Sequence, residues 1–79
     1  MKSKKQFSAI LSSEAAIAIA VADAKQFYRD LTVYEIEAQL IGDVWNIDFI
    51  LKDPLLDGGG PQYVISGISG EIVKRTLLQ

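Results

Sequence analysis

The dipeptide Gly42-Asp43, set between two alternating apolar runs, constrains this chain more than any other feature. Before it, Tyr34, Ile36, Ala38 and Leu40 alternate with Glu35, Glu37 and Gln39. After it, Trp45, Ile47, Phe49 and Leu51 alternate with Asn46 and Asp48. Period-2 alternation marks a strand with one buried face. Gly-X at the centre of a two-residue connection is the signature of a type II′ hairpin turn. Such a turn pairs Ile41 with Val44, then Leu40 with Trp45, Ala38 with Ile47, Ile36 with Phe49 and Tyr34 with Leu51. Every apolar residue then meets an apolar partner, and a one-residue slip would turn the whole set to the wrong face. Turn chemistry and hydrophobic pattern specify the same register independently.

The other face of this hairpin carries Glu35, Glu37, Gln39, Asn46 and Asp48. Glu37 falls directly across from Asp48, and like charges in that relation are unfavourable. A neighbouring Lys74 or Arg75, a cation or a basic partner would offset the repulsion.

Upstream the period is that of a helix. Ser12 and Ser13 are good N-caps, and Glu14 places negative charge in the first turn, where the helix dipole favours it. The stretch from Glu14 to about Arg29 is rich in alanine, the best helix former. Ile17, Val21, Ala24 and Tyr28 share one face. Ala15, Ala16, Ala18, Ala20, Ala22 and Ala24 make this helix thin, so that it can lie close against a curved sheet.

Downstream, Asp53-Pro54 ends the second strand, because proline cannot donate to a ladder. The loop Asp53 to Pro61 contains Gly58-Gly59-Gly60. Gln62 to Ile68 reads as a third strand, Ser69-Gly70 as a tight turn and Glu71 to about Leu78 as a fourth strand. Lys74 and Arg75 suit an exposed edge, where charge discourages aggregation. Leu55 and Leu56 either fold over an open end of the core, which is the expectation, or form a contact surface.

At 79 residues the chain holds one domain. It has no cysteine and no histidine, so it lacks disulfides, thiolate metal sites and the usual general base. Ser12, Ser13, Ser66 and Ser69 have no histidine to activate them. The glycine-rich loop leads into a strand and not a helix N-terminus, which argues against a phosphate cradle. Asp53 and Asp57 do not match a calcium loop. With a pI near 4.9 the chain is a poor nucleic-acid binder, although Lys2, Lys4, Lys5, Lys74 and Arg75 gather near its ends. No run approaches the roughly 20 apolar residues of a membrane span. Met1-Lys2-Ser3-Lys4-Lys5, with apolar residues and Ala20-Val21-Ala22 behind it, is similar to a signal peptide. Cleavage there would delete most of the helix, so retention in a cytoplasmic chain is the expectation and export the alternative.

The segment Tyr63-Val-Ile-Ser-Gly-Ile-Ser-Gly-Glu-Ile-Val73 resembles the closing segment of PepSY-type domains, where a strand runs into a Thr/Ser-Gly-Glu/Lys-Val/Ile turn. The Ala-rich helix and the strand meander are also PepSY-like. That family usually has Asp where this chain has Ser66. Gly42-Asp43-Val44-Trp45, Gly58-Gly59-Gly60-Pro61 and the Ser-Gly-Glu-Ile ending are similar to small immunity proteins with a nuclear-transport-factor-like fold, which neutralise toxins of competing bacteria. This second match spans roughly residues 13 to 75. Both resemblances imply a cystatin-like wrapped sheet and a role in binding or inhibiting another protein.

The expected architecture is therefore α+β: a polar arm over residues 1–12, then one domain over 13–79. That domain would pack one N-terminal helix on a curled antiparallel meander of three to four strands (cystatin-like). The expected function is a non-enzymatic protein-binding module of inhibitor or immunity type. Glu35, Glu37, Asp48, Leu55 and Leu56 would meet a protein partner. The alternative is a small-molecule carrier or accessory subunit using the helix–sheet concavity, and homodimerisation through the exposed sheet is a further option. No cofactor and no metal ion are expected.

Overall fold

The computed structural model describes residues 10–53, 55 and 59–77. One helix, α1 (Ser13–Ala24), precedes four strands: β1 (Tyr34–Ile41), β2 (Val44–Leu51), β3 (Gln62–Ser66) and β4 (Ile72–Thr76). The strands form an open antiparallel sheet in the order β1-β2-β3-β4, and α1 packs on one side of it.

The hairpin register is the one expected from sequence. All eight pairs from Tyr34↔Leu51 to Ile41↔Val44 are present without a bulge. Gly42 takes φ +64° while Asp43 keeps a negative φ, the sign pattern of a II′ turn. A side chain at Gly42 would be strained by its backbone rather than crowded, since nothing lies within 4 Å of a Cβ built there.

The helix differs from expectation in two ways. Its most buried stripe is Ala16, Ala20 and Ala24, all fully buried, while Ile17 and Val21 flank that stripe half-buried. Close approach explains this. A methyl group lets the helix sit down on Ile47, Phe49, Tyr63 and Ile65, and the larger residues fill the wedges at its sides. The helix also ends at Ala24 rather than near Arg29. Gln26 and Phe27 donate to Asp23 and Ala24 three residues back, tightening the last turn and ending the helix. Tyr28, whose N–H shares the Ala24 carbonyl at 2.9 Å, packs edge-on against Tyr34, with ring centroids 6.1 Å apart. At the other end Ser12 is the N-cap, its Oγ accepting from the Ala15 N–H at 3.1 Å.

Residues 10–12, expected as the end of a polar arm, are tied to the sheet. The Leu11 N–H donates to Gly67 at 2.8 Å, and Trp45 Nε1 donates to the Leu11 carbonyl at 2.9 Å. Residues 1–9 lie outside the described residues, so the arm and the basic run Lys2–Lys5 are not placed.

Aromatic side chains make up much of the core. Phe49 and Tyr63 are buried, and Tyr28, Tyr34 and Trp45 pack around them. Gly60 is needed for its size: a Cβ there would lie 2.7 Å from Phe49 Cβ and 2.8 Å from Tyr34 Cε1.

The third strand stops at Ser66, short of Ile68. Ser66 Oγ accepts from the Ile68 and Ser69 N–H groups at 3.2 and 3.1 Å, folding Gly67–Gly70 into a turn. Gly70 completes that turn at φ +79°. A serine thus supplies the short side-chain acceptor that Asp supplies in such turns. The fourth strand is shorter than expected and bulged, with Val73 as the extra residue between Ile65↔Ile72 and Val64↔Lys74.

Candidate functional site

Alternation divides the sheet into two surfaces. Tyr34, Ile36, Ala38, Trp45, Ile47, Phe49, Tyr63, Ile65 and Ile72 pack toward α1. Glu35, Glu37, Gln39, Asn46, Asp48, Ile50, Gln62, Val64 and Lys74 lie on the opposite surface, which no described residue covers.

On this open surface Glu37 stands opposite Asp48, and Glu35 opposite Ile50. Glu37 is exposed and Asp48 half-buried. Neither has an ion-pair partner among the described residues, where the one ion pair is Arg75–Asp23. Lys74 shares with Asp48, Asn46 and Gln62 the rim of a depression of about 210 Å³, but forms no ion pair with Asp48. A second depression of about 300 Å³ lies at the end of β2, lined by Asp48, Ile50, Gly59, Gly60 and Gln62. The first is mainly polar, and the second, with Phe49 and Leu51 also in its wall, is mainly apolar. Among the described residues no group of three His, Cys, Asp or Glu side chains is arranged to hold a metal ion. No described helix is long and apolar enough to cross a membrane.

The structure therefore brings Glu35, Glu37 and Asp48 together on one surface. It does not bring Leu55 over the core: Leu55 is 88% exposed, held outward in a turn where its N–H donates to Asp53 Oδ1 at 2.9 Å. That corrects the core-covering expectation for Leu55, while Leu56 lies outside the described residues.

Arg75 is the second correction. As expected it sits exposed on the edge strand β4, but it lies on the surface opposite the acidic pair and is paired with Asp23 of α1. Its Nε donates to Asp23 Oδ2 at 2.6 Å and its Nη2 to Oδ1 at 2.8 Å. Tyr63 Oη donates to the same Oδ2 at 2.7 Å. The guanidinium also stands 5.3 Å from the centroid of the Phe27 ring, within cation–π range. The Val73 bulge is responsible. Ile72 and Arg75 are an odd number of residues apart and would face opposite ways in a regular strand, but the extra residue turns both toward the helix.

The charges of this cluster are mutually supportive. The Arg75 guanidinium holds the Asp23 carboxyl below the usual carboxylate range, outweighing the opposing effect of burial. Asp23 in turn raises Arg75. Burial, and then the bond to Asp23, push the Tyr63 hydroxyl above its ordinary value, so it stays a neutral donor. This arrangement clamps the helix C-terminus to β3 and β4. Its carboxylate is fully engaged and its phenol buried, which suits structure better than proton transfer.

Compared with known proteins, the chain matches no family model, no curated protein and no solved structure at a significant level.

Proposed function

We infer that the protein is a non-enzymatic protein-binding module whose partner meets the uncovered surface of the sheet. The observation that carries this reading is the Glu37–Asp48 pair, two carboxylates held opposite each other with no ion-pair partner among the described residues. Folding gains nothing from that juxtaposition, which costs about 0.2–1 kcal/mol. A basic surface docking on Glu35, Glu37 and Asp48 would turn the cost into attraction and steer the encounter. Leu55, exposed in the loop after β2, is an apolar group available to the same partner. The turn motifs shared with PepSY-type domains and small immunity proteins favour an inhibitor or immunity role within this class.

The carrier alternative finds less support. The space between helix and sheet is occupied by Ala16, Ala20, Ala24, Ile47, Phe49, Tyr63 and Ile65. An independent catalytic role finds less still in a sequence without His or Cys.

The test is capture by the immobilised full chain from a lysate of its source cells, with retained proteins identified by mass spectrometry. The Glu35→Lys/Glu37→Lys double variant should lose the wild-type partner while keeping its fold by circular dichroism. Undiminished capture of that partner by the folded double variant rules out this surface.

A further inference from the structure

The two edges of the sheet are built differently. The β4 edge is short, interrupted by the Val73 bulge, and carries Lys74 and Arg75. These are the devices that keep an edge from pairing with another chain. The β1 edge is guarded only by the charges of Glu35 and Glu37, which lie on the open surface. It is eight residues long, unbulged, and contains no lysine, arginine or proline.

The hairpin fixes which backbone groups this edge offers. Ile41↔Val44 closes a two-residue turn and is a hydrogen-bonded pair, so the bonded pairs alternate from there. Gln39, Glu37 and Glu35 bond inward to β2, while Leu40, Ala38 and Ile36 direct their N–H and C=O groups outward. The outward N–H of Tyr34 is already used by Leu31. Among the described residues no backbone bond reaches the outward groups of Ile36, Ala38 and Leu40. The apolar side chains Leu40 and Ile41 stand exposed on the same strand, at 42% and 55%.

We propose that β1 is a self-association edge, pairing antiparallel with β1 of a second copy about a two-fold axis at Ala38. The register follows from charge. Only registers that set outward groups against outward groups can form bonds. Centring the axis on Glu37 opposes Glu37 to itself, and centring it on Ile36 opposes Glu35 to Glu37. Centring it on Leu40 or Gln39 shortens the overlap and sets an acid against Asp43. Centring it on Ala38 sets Ile36 against Leu40, Glu37 against Gln39 and Glu35 against Ile41 of the second copy, with no acid facing an acid. Three narrow pairs of two bonds each then supply about six backbone hydrogen bonds and join the sheets into one. The interface is small and Glu37 has its counterpart as a diagonal neighbour, so the dimer is a weak one that tightens as salt screens the open surface. This inference stands apart from the binding role above, because it concerns a copy of this chain and is read without any other partner.

Sedimentation equilibrium of the full chain, from low micromolar to about millimolar concentration, tests it. Wild type should approach a dimer at the upper end. Ala38→Pro removes an outward N–H and spares the β1–β2 ladder, and it should remain a folded monomer. Gln39→Lys should tighten the dimer and Gln39→Glu loosen it, each by roughly two- to thirtyfold, because residue 39 faces Glu37 of the second copy twice. In a chain without native cysteine, Ala38→Cys should oxidise to a covalent dimer faster than Glu37→Cys. A wild type that stays monomeric throughout overturns the proposal. So does a dimer indifferent to both substitutions at Gln39, which would point to another surface or to an edge reserved for a basic extended peptide.

Discussion

The two surfaces of the sheet are made from the same strands by the same alternation, yet they answer to different demands. The covered surface is specified to the methyl group: an alanine stripe meets Ile47, Phe49, Tyr63 and Ile65, and the Asp23–Tyr63–Arg75 cluster satisfies its polar atoms. No described buried side-chain polar atom is left without a partner. The open surface tolerates what the covered one excludes. Glu37 faces Asp48 uncompensated, and Ile50 is exposed beside them. One surface is optimised for folding, and the other keeps features that folding alone would remove.

If that contrast holds, substitutions on the two surfaces should differ in size and in sign. The largest effect belongs to Ala20→Leu, which forces three carbons into the closest helix–sheet contact. It should destabilise by about 2–3 kcal/mol in urea unfolding. A cost under about 0.5 kcal/mol would mean the helix rides loosely on the sheet. Tyr63→Phe comes next. It removes a buried donor to a carboxylate and should cost about 1–2 kcal/mol by the same measurement.

The third effect appears only in acid. Asp23 has a folded pKa depressed by Arg75 and by Tyr63, so its contribution to stability is present above the ordinary value of 3.8. That contribution is lost as pH falls from there through the folded value. Thermal midpoints of wild type and Asp23→Asn should therefore lie far apart at pH 6 and converge as pH falls below about 4. A gap that stays constant down to pH 2 would show the cluster to be electrostatically idle.

The sequence exposes the hairpin fully because two independent signals agree there, glycine at a turn that needs positive φ and alternation on either side. Where one signal stands alone, packing or register overrides it. Hydrophobicity favoured Ile17 and Val21 for the helix contact, but packing distance favours the smaller Ala16 and Ala20. The edge position of Arg75 is legible from its charge, but the run Ile72-Val73-Lys74-Arg75 hides a bulge that turns it toward the helix and away from the acidic pair. The partners of Arg75 and Tyr63 lie 52 and 40 residues away on α1, a separation no local pattern encodes. The acidic surface was legible because it is the complement of the apolar one. The outward turn of Leu55 was not, because adjacent leucines in a loop give no direction.

The smallest predicted effect tests the central claim most directly, that the open surface carries a charge arrangement adverse to folding. Glu37→Gln removes one member of the facing pair and touches no core residue. Its urea unfolding should be compared with wild type at neutral pH, low salt and low micromolar protein, where self-association does not contribute. The midpoint should rise, by an amount equivalent to about 0.2–1 kcal/mol, with the slope unchanged. A lowered midpoint would show that Glu37 serves the fold, and the contrast between the two surfaces would fail.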